Sequence, residues 1–175
     1  RALEKLKRGD WQWAHVMVEA MKLRAGLLLE REPGYFTFPH RTFQEYLAGA
    51  YLSTQKECGA NAAALGAQGA LWREPILLAA GRLVHVAGDV EKALMMVNRL
   101  CPARGRDTEE DWRNAWLAAD VLIEIGLRRA REDEWGGELL ACVQQRLGQL
   151  VTGGYLTPRE RAEVGDTLAE IDDPR

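Results

Sequence analysis

The chain has 175 residues, 47% of them apolar, and a formal net charge of -3. That length supports one domain or two small packed lobes, and the near-neutral balance excludes a global pull toward nucleic acid or anionic lipid. No apolar run approaches the roughly 18 residues of a membrane span, and no signal-peptide core opens the chain. Cys58, Cys101 and Cys142 are dispersed and odd in number, which reads as reduced thiols in a cytoplasmic protein with no zinc-type Cys/His cluster. The first residue is Arg, so a fragment of a longer protein is expected.

Residues 1–9 are basic and read as a helix end. Asp10 is placed to cap a helix carrying Trp13, Val16, Met17, Ala20 and Met21 at helical spacing up to about Arg24. Gly26 is its expected left-handed terminator. Leu27–Glu30 and Tyr35–Phe38 then flank Pro33-Gly34, the pair a type II turn wants, so a β-hairpin is predicted. Pro39 forces an extended Phe38 and separates the hairpin from the next helix. Thr42 and Glu45 have capping-box spacing. The helix they open carries Phe43, Tyr46, Leu47, Ala50 and Tyr51 on one face, which is expected to be buried against something large.

Residues 57–71 are rich in Ala and Gly and predict a short helix between loops, whose small side chains permit close packing. A series of amphipathic helices follows. One starts near Arg73 with Pro75 in its first turn and a stripe of Ile76, Ala80, Leu83, Val84 and Ala87. Gly88-Asp89 ends it and caps the next, which carries Val90, Leu94, Val97 and Leu100. After a loop, Thr108 or Asp107 caps a long helix with Trp112, Trp116, Ala119, Ile123 and Leu127. Arg128, Arg129 and Arg131 close that helix at its negative end. Another runs from about Asp133 to Val151. Thr157-Pro158-Arg159-Glu160 opens a last helix whose Val164, Leu168 and Ile171 face the core.

The fold class is therefore mainly α. A partial winged helix with one β-hairpin occupies residues 1–55. Residues 56–175 form either a HEAT-like array of helix pairs or an irregular helical bundle. No Ser-His-Asp grouping, H-E-x-x-H motif or phosphate-binding Gly-rich loop offers a catalytic site. His15 and His85 read as structural or exposed. Trp112 and Trp116, one turn apart, pack between helices or, if exposed, form a partner-binding hot spot. A helix followed by a wing raises DNA binding, but the basic surface of that helix is thin and only part of a winged helix is present.

The segment Gly26-Leu27-Leu28 followed by Tyr35-Phe36-Thr37-Phe38-Pro39-His40-Arg41-Thr42-Phe43-Gln44-Glu45-Tyr46-Leu47-Ala48 resembles the end of the winged-helix domain of NACHT-type STAND NTPases, the bacterial relatives of NOD-like receptors. The family pattern is approximately G-L-L … Y-x-F-x-H-x-x-F-Q-E-Y-L-A-A. Gly49 stands where Ala is usual. The helices after Trp72 are similar, more weakly, to the helical region that follows in such proteins. Leu156 to Arg175 resembles the linker that precedes a further domain.

The resemblance implies a switch protein held closed by ADP and opened on exchange for ATP, with Mg. In that family the motif histidine reaches the nucleotide phosphates, and His40 holds this position; Arg41 beside it could approach a phosphate or pair with Glu45. The implied role is a regulatory and scaffold segment coupling nucleotide state to sensor or effector domains. The implied partners are the nucleotide-binding domain and a downstream domain of the same chain, with protein partners or self-assembly in the parent. No G-x-x-x-x-G-K-[ST] occurs in these residues, so no cofactor and no ATP hydrolysis are expected of this segment alone. The alternative is a stand-alone helical adaptor that binds a protein.

Overall fold

A computed structural model describes residues 10–23, 26 and 28–172. The chain divides into two compact units, Arg1–Gln44 and Glu45–Arg175. The first nine residues, Arg24, Leu27 and the last three residues, on which parts of the sequence reading fall, lie outside the described residues.

In the first unit, helix α1 spans Trp11–Leu23. Asp10 Oδ1 accepts the Trp13 amide at 2.9 Å, the expected cap, which satisfies a donor with no intrahelical partner. Of the predicted stripe, Trp13, Met17, Ala20 and Met21 are half-buried, while Val16 is exposed and Ala14, outside the stripe, is buried.

Strands β1 (Leu29–Glu32) and β2 (Tyr35–Thr37) form an antiparallel hairpin, with Leu29 opposite Thr37 and Glu32 opposite Tyr35. The register breaks between Glu30 and Glu32, leaving Arg31 as the extra residue of a bulge. Gly34 has φ +82°, the value that the third residue of a type II turn needs and that a side chain disfavours. Glu30 stabilises this turn from below. Its carboxylate accepts the Gly34 amide at 2.9 Å and pairs with Lys22 at 2.7 Å. The Gly34 amide, and then Lys22, hold the Glu30 carboxyl below the usual range. Lys22 also lies 5.3 Å from the centre of the Phe36 ring, so the last turn of α1 is tied to the hairpin by one cation.

Helix α2 spans Arg41–Thr54 and crosses from the first unit into the second. It begins two residues earlier than the Thr42 cap predicted: His40 holds the cap position, and its carbonyl accepts the Phe43 amide at 3.2 Å. The buried residues of α2 are Gly49, Leu52 and Ser53. The aromatic face expected in the core is instead exposed, at Phe43, Tyr46, Leu47 and Tyr51.

The second unit continues with α3 (Cys58–Gly66), a 3-10 turn (Ala70–Trp72), α4 (Arg73–Gly81), a π turn (Arg82–Ala87), α5 (Val90–Leu100) and α6 (Glu109–Ile125). It ends with α7 (Leu127–Glu132), α8 (Glu134–Gly153) and α9 (Pro158–Glu170). Asp89 caps α5 by accepting the Lys92 amide. Thr108, not Asp107, caps α6. Thr157 and Glu160 make the full reciprocal box on α9, with Pro158 at its first position, as the local sequence dictates.

Two local expectations change. The long helix stops at Ile125 because Gly126, at φ +89°, turns the chain out of helix. Leu127 and the three arginines therefore belong to the separate α7. The stripe of α4 passes into the π turn, which leaves Ala87 exposed while Leu83 and Val84 are buried. The Asp89 amide donates to the Leu83 carbonyl, closing that wider turn.

α6 is the centre of this unit and touches α3, α4, α5, α7, α8 and α9. In a solenoid each helix pair meets only its neighbours, and the order of contacts, α3 on α5, α4 on α6, and α6 on α8 and α9, fits either of the two predicted arrangements. The core is aliphatic and small. Ala62, Ala79, Ala80, Ala93, Ala118 and Ala119 are fully buried beside Ile76, Leu94, Leu122, Leu147, Leu150 and Leu168. The Ala- and Gly-rich α3 makes the close contact its composition allows: at Gly59 an added methyl would lie 3.0 Å from the Met95 carbonyl of α5. Cys101 is buried beside Cys142, and burial pushes its thiol up to about 12. Among the described residues no helix is long and apolar enough to cross a membrane.

Candidate functional site at the motif helix

α2 has two unlike faces because its residues alternate between small and aromatic at helical spacing. Gly49 packs against α4 so closely that a Cβ there would lie 2.7 Å from the Pro75 carbonyl and 2.9 Å from Leu78 Cβ. Backbone-to-backbone approach of this kind excludes larger residues, which gives a physical reason for glycine where the family pattern has Ala. Lys92 of α5 donates to the Ser53 carbonyl at 2.8 Å, binding the last turn of the helix to the bundle.

The opposite face is apolar surface that the described residues leave exposed. Phe43, Leu47 and Tyr51 recur at every fourth position and are 43%, 49% and 70% exposed. Tyr46 is fixed at its hydroxyl, which accepts Arg82 Nη1 at 3.1 Å; the guanidinium lies 5.9 Å from the ring centre. Arg82 Nε is buried without a partner among the described residues. The side chains that part from the prediction do so for one reason: the bundle has only a small-residue groove to offer α2, and Gly49, Leu52 and Ser53 fill it.

At the start of the helix, His40 is exposed. Its ring lies 6.1 Å from that of Phe43, tilted by 50°. Arg41 is exposed on the first turn. An imidazole at a helix start has both ring nitrogens available as donors or acceptors, and the unpaired amides of the first turn add a partial positive field.

Trp112 and Trp116, the other candidates, lie further along the chain on α6 and separate in role. Trp112 is 2% exposed, so it is withdrawn from the interaction surface. Its indole stacks on Tyr155 at 4.4 Å and 22°, with the Arg146 guanidinium 3.5 Å from the ring centre. Helix α6 is covered on that side, which spacing alone cannot reveal. Trp116 is half-buried and donates its indole N–H to Thr167 at 2.9 Å.

Trp116 also lines a cavity of about 300 Å³ within the bundle. Gly66, Gly69 and Ala70 form one wall and Leu117 adjoins the indole. Arg73 and Asp120 stand at one place on the lining, paired at 2.9 Å. Arg113 and Glu160 stand at another, also paired at 2.9 Å. Burial pushes the Asp120 carboxyl up, against the pull of Arg73. Glu160 is held at about 2, first by the Thr157 hydroxyl and then by Arg113. Sequence reasoning missed these pairs because each joins residues 47 positions apart. The one local signal was Asp120 among the apolar residues of α6.

Residues 8–52 match the family model of the winged helix-turn-helix domain C-terminal to NACHT. Comparison with curated proteins and with solved structures finds no match. The family match covers α1, the hairpin and nearly all of α2, and bears out the resemblance drawn from Gly26 to Ala48. On these residues, the chain is similar to a fragment of a NACHT-type protein.

Proposed function

We propose that this chain is a regulatory and scaffold segment of a NACHT-type signalling NTPase, coupling the nucleotide state of a preceding domain to domains that follow. The observation that carries this reading is the exposed apolar face of α2, Phe43, Leu47 and Tyr51, within the stretch that matches a domain C-terminal to NACHT. Such a face is favourable only when something covers it. In this reading the nucleotide-binding domain covers it, and His40, at the start of the same helix, donates to a phosphate oxygen of ADP. ADP or ATP with Mg belongs to that domain. Purified alone, the segment does not hydrolyse ATP. The bundle then serves as the rigid arm that passes a change at α2 onward, because Gly49 and Lys92 lock α2 to α4 and α5.

The test is nucleotide retention in the longer protein. His40→Ala is expected to release ADP faster and to raise basal self-assembly, while the fold stays intact by circular dichroism. Unchanged ADP occupancy and assembly would remove His40 from the mechanism. ATP turnover by the present chain would remove the scaffold reading.

A further inference from the structure

We infer that Cys101 and Cys142 are a modification site: a thiol pair that a hydroperoxide converts into a disulfide, clipping the end of α5 to α8. This inference rests on the bundle alone and stands apart from the role given to His40.

The site is built on one face of α8. Cys142 and Arg146 are four residues apart, so they sit one above the other on that helix. Both meet the connection between α5 and α6. Arg146 Nη2 donates to the Arg106 carbonyl at 2.6 Å and pairs with Asp107 at 2.9 Å. Cys142 meets the start of the same connection, where its thiol lies within hydrogen-bonding reach of Cys101. Cys101 holds the C-cap of α5, and its amide donates to the Val97 carbonyl at 2.8 Å. Its backbone is thereby fixed, and α5 and α8 are in direct contact. The connection is held against α8 at both ends, by an ion pair at one and by two facing thiols at the other.

The two thiols differ in the way that a stepwise oxidation needs. Cys142 is half-buried, so a small oxidant reaches it. Cys101 is 3% exposed, and burial pushes its thiol up to about 12. Access decides which sulfur an oxidant meets first, which makes Cys142 the sulfur attacked by oxidant and Cys101 the resolving one. The Cys142 thiolate attacks one oxygen of hydrogen peroxide. The O–O bond breaks, Cys142 becomes a sulfenic acid, and the released hydroxide takes up a proton to become water. The Cys101 sulfur then attacks the Cys142 sulfur. The S–O bond breaks, and the Cys101 proton leaves with the hydroxide as a second water. The thiol pair gives up two electrons in all, and the peroxide is reduced to water. Proton and hydroxide depart together, so no charge is left in the core, and the reluctance of Cys101 to ionise slows the step without blocking it.

Cys58 is the internal control. It is 1% exposed on α3 and faces Lys92 and Asp89 rather than a thiol, so no disulfide closes there within the chain.

The experiment uses the full 175-residue chain, reduced, desalted and treated with hydrogen peroxide in modest molar excess under native conditions. Denaturation, alkylation and mass spectrometry are expected to leave Cys58 as the single free thiol, with a Cys101–Cys142 linked peptide that dithiothreitol separates. Cys101→Ser should stop the reaction at the sulfenic acid, which dimedone traps on Cys142. Cys142→Ser should keep both remaining thiols free at the same dose. The bridge closes a loop of roughly forty residues, so the thermal midpoint of the oxidised chain should rise by about 5–15 °C. If a variant fails to fold, the peptide map of the unsubstituted chain carries the test. Retention of all free thiols at a dose that oxidises glutathione, a bridge through Cys58 or between two chains, or a midpoint that does not rise would each overturn the site.

Discussion

The two faces of α2 and the interior of the bundle use apolar residues in opposite ways. In the bundle, alanines and leucines are withdrawn from water almost completely, and the helices approach through small side chains. On α2, large rings and Leu47 remain in solvent while a glycine does the packing. The bundle therefore completes its own core, whereas α2 carries apolar area that the described residues leave exposed. Apolar content thus measures how much must be covered; geometry decides what covers it.

The largest effect that tests this contrast is a core truncation. Leu147→Ala, at a fully buried position of α8, is expected to destabilise the chain by about 2–5 kcal/mol, read by denaturant unfolding. A loss below that range would mean the bundle is looser than its burial implies. Next is Gly49→Ala, whose new methyl meets the Pro75 carbonyl. It should cost about 1–3 kcal/mol. A neutral result would mean that α2 can move off α4, and the locked-arm reading would fail with it.

Thr157→Ala removes the side-chain half of the α9 capping box and should cost about 1 kcal/mol. The same box makes a pH prediction. Glu160 is held at about 2 in the folded chain, below its ordinary value, so its contribution is present above the unfolded value and is lost as pH falls toward about 2. The thermal midpoint should drop over that acid range, and Glu160→Gln should flatten the drop. An identical acid profile in the variant would show that Glu160 is not what titrates. The smallest effect is expected from Leu47→Ser or Tyr51→Ser on the exposed face. In this chain each should fall within about 0.5 kcal/mol. A loss comparable to that of Leu147→Ala would show that the face is covered here after all, and would erase the contrast.

The sequence by itself determined the elements whose causes are local. Asp10, Asp89 and Thr157 cap helices where their side chains reach free amides. Pro33-Gly34 makes the hairpin turn, and the motif from Gly26 to Ala48 coincides with the family match. These depend on neighbours within four residues, so spacing is enough to find them. Tertiary structure alone decided which face of each helix is covered. Periodicity finds an apolar stripe without finding its partner, so the α2 rings were expected inside and Trp112 was left as a candidate surface residue. Only the placement of α6 among six other helices buries Trp112. Only the 47-residue pairings of Arg73 with Asp120 and Arg113 with Glu160 assemble the cavity lining. Contacts at that separation follow from how the helices pack, and no local pattern encodes them.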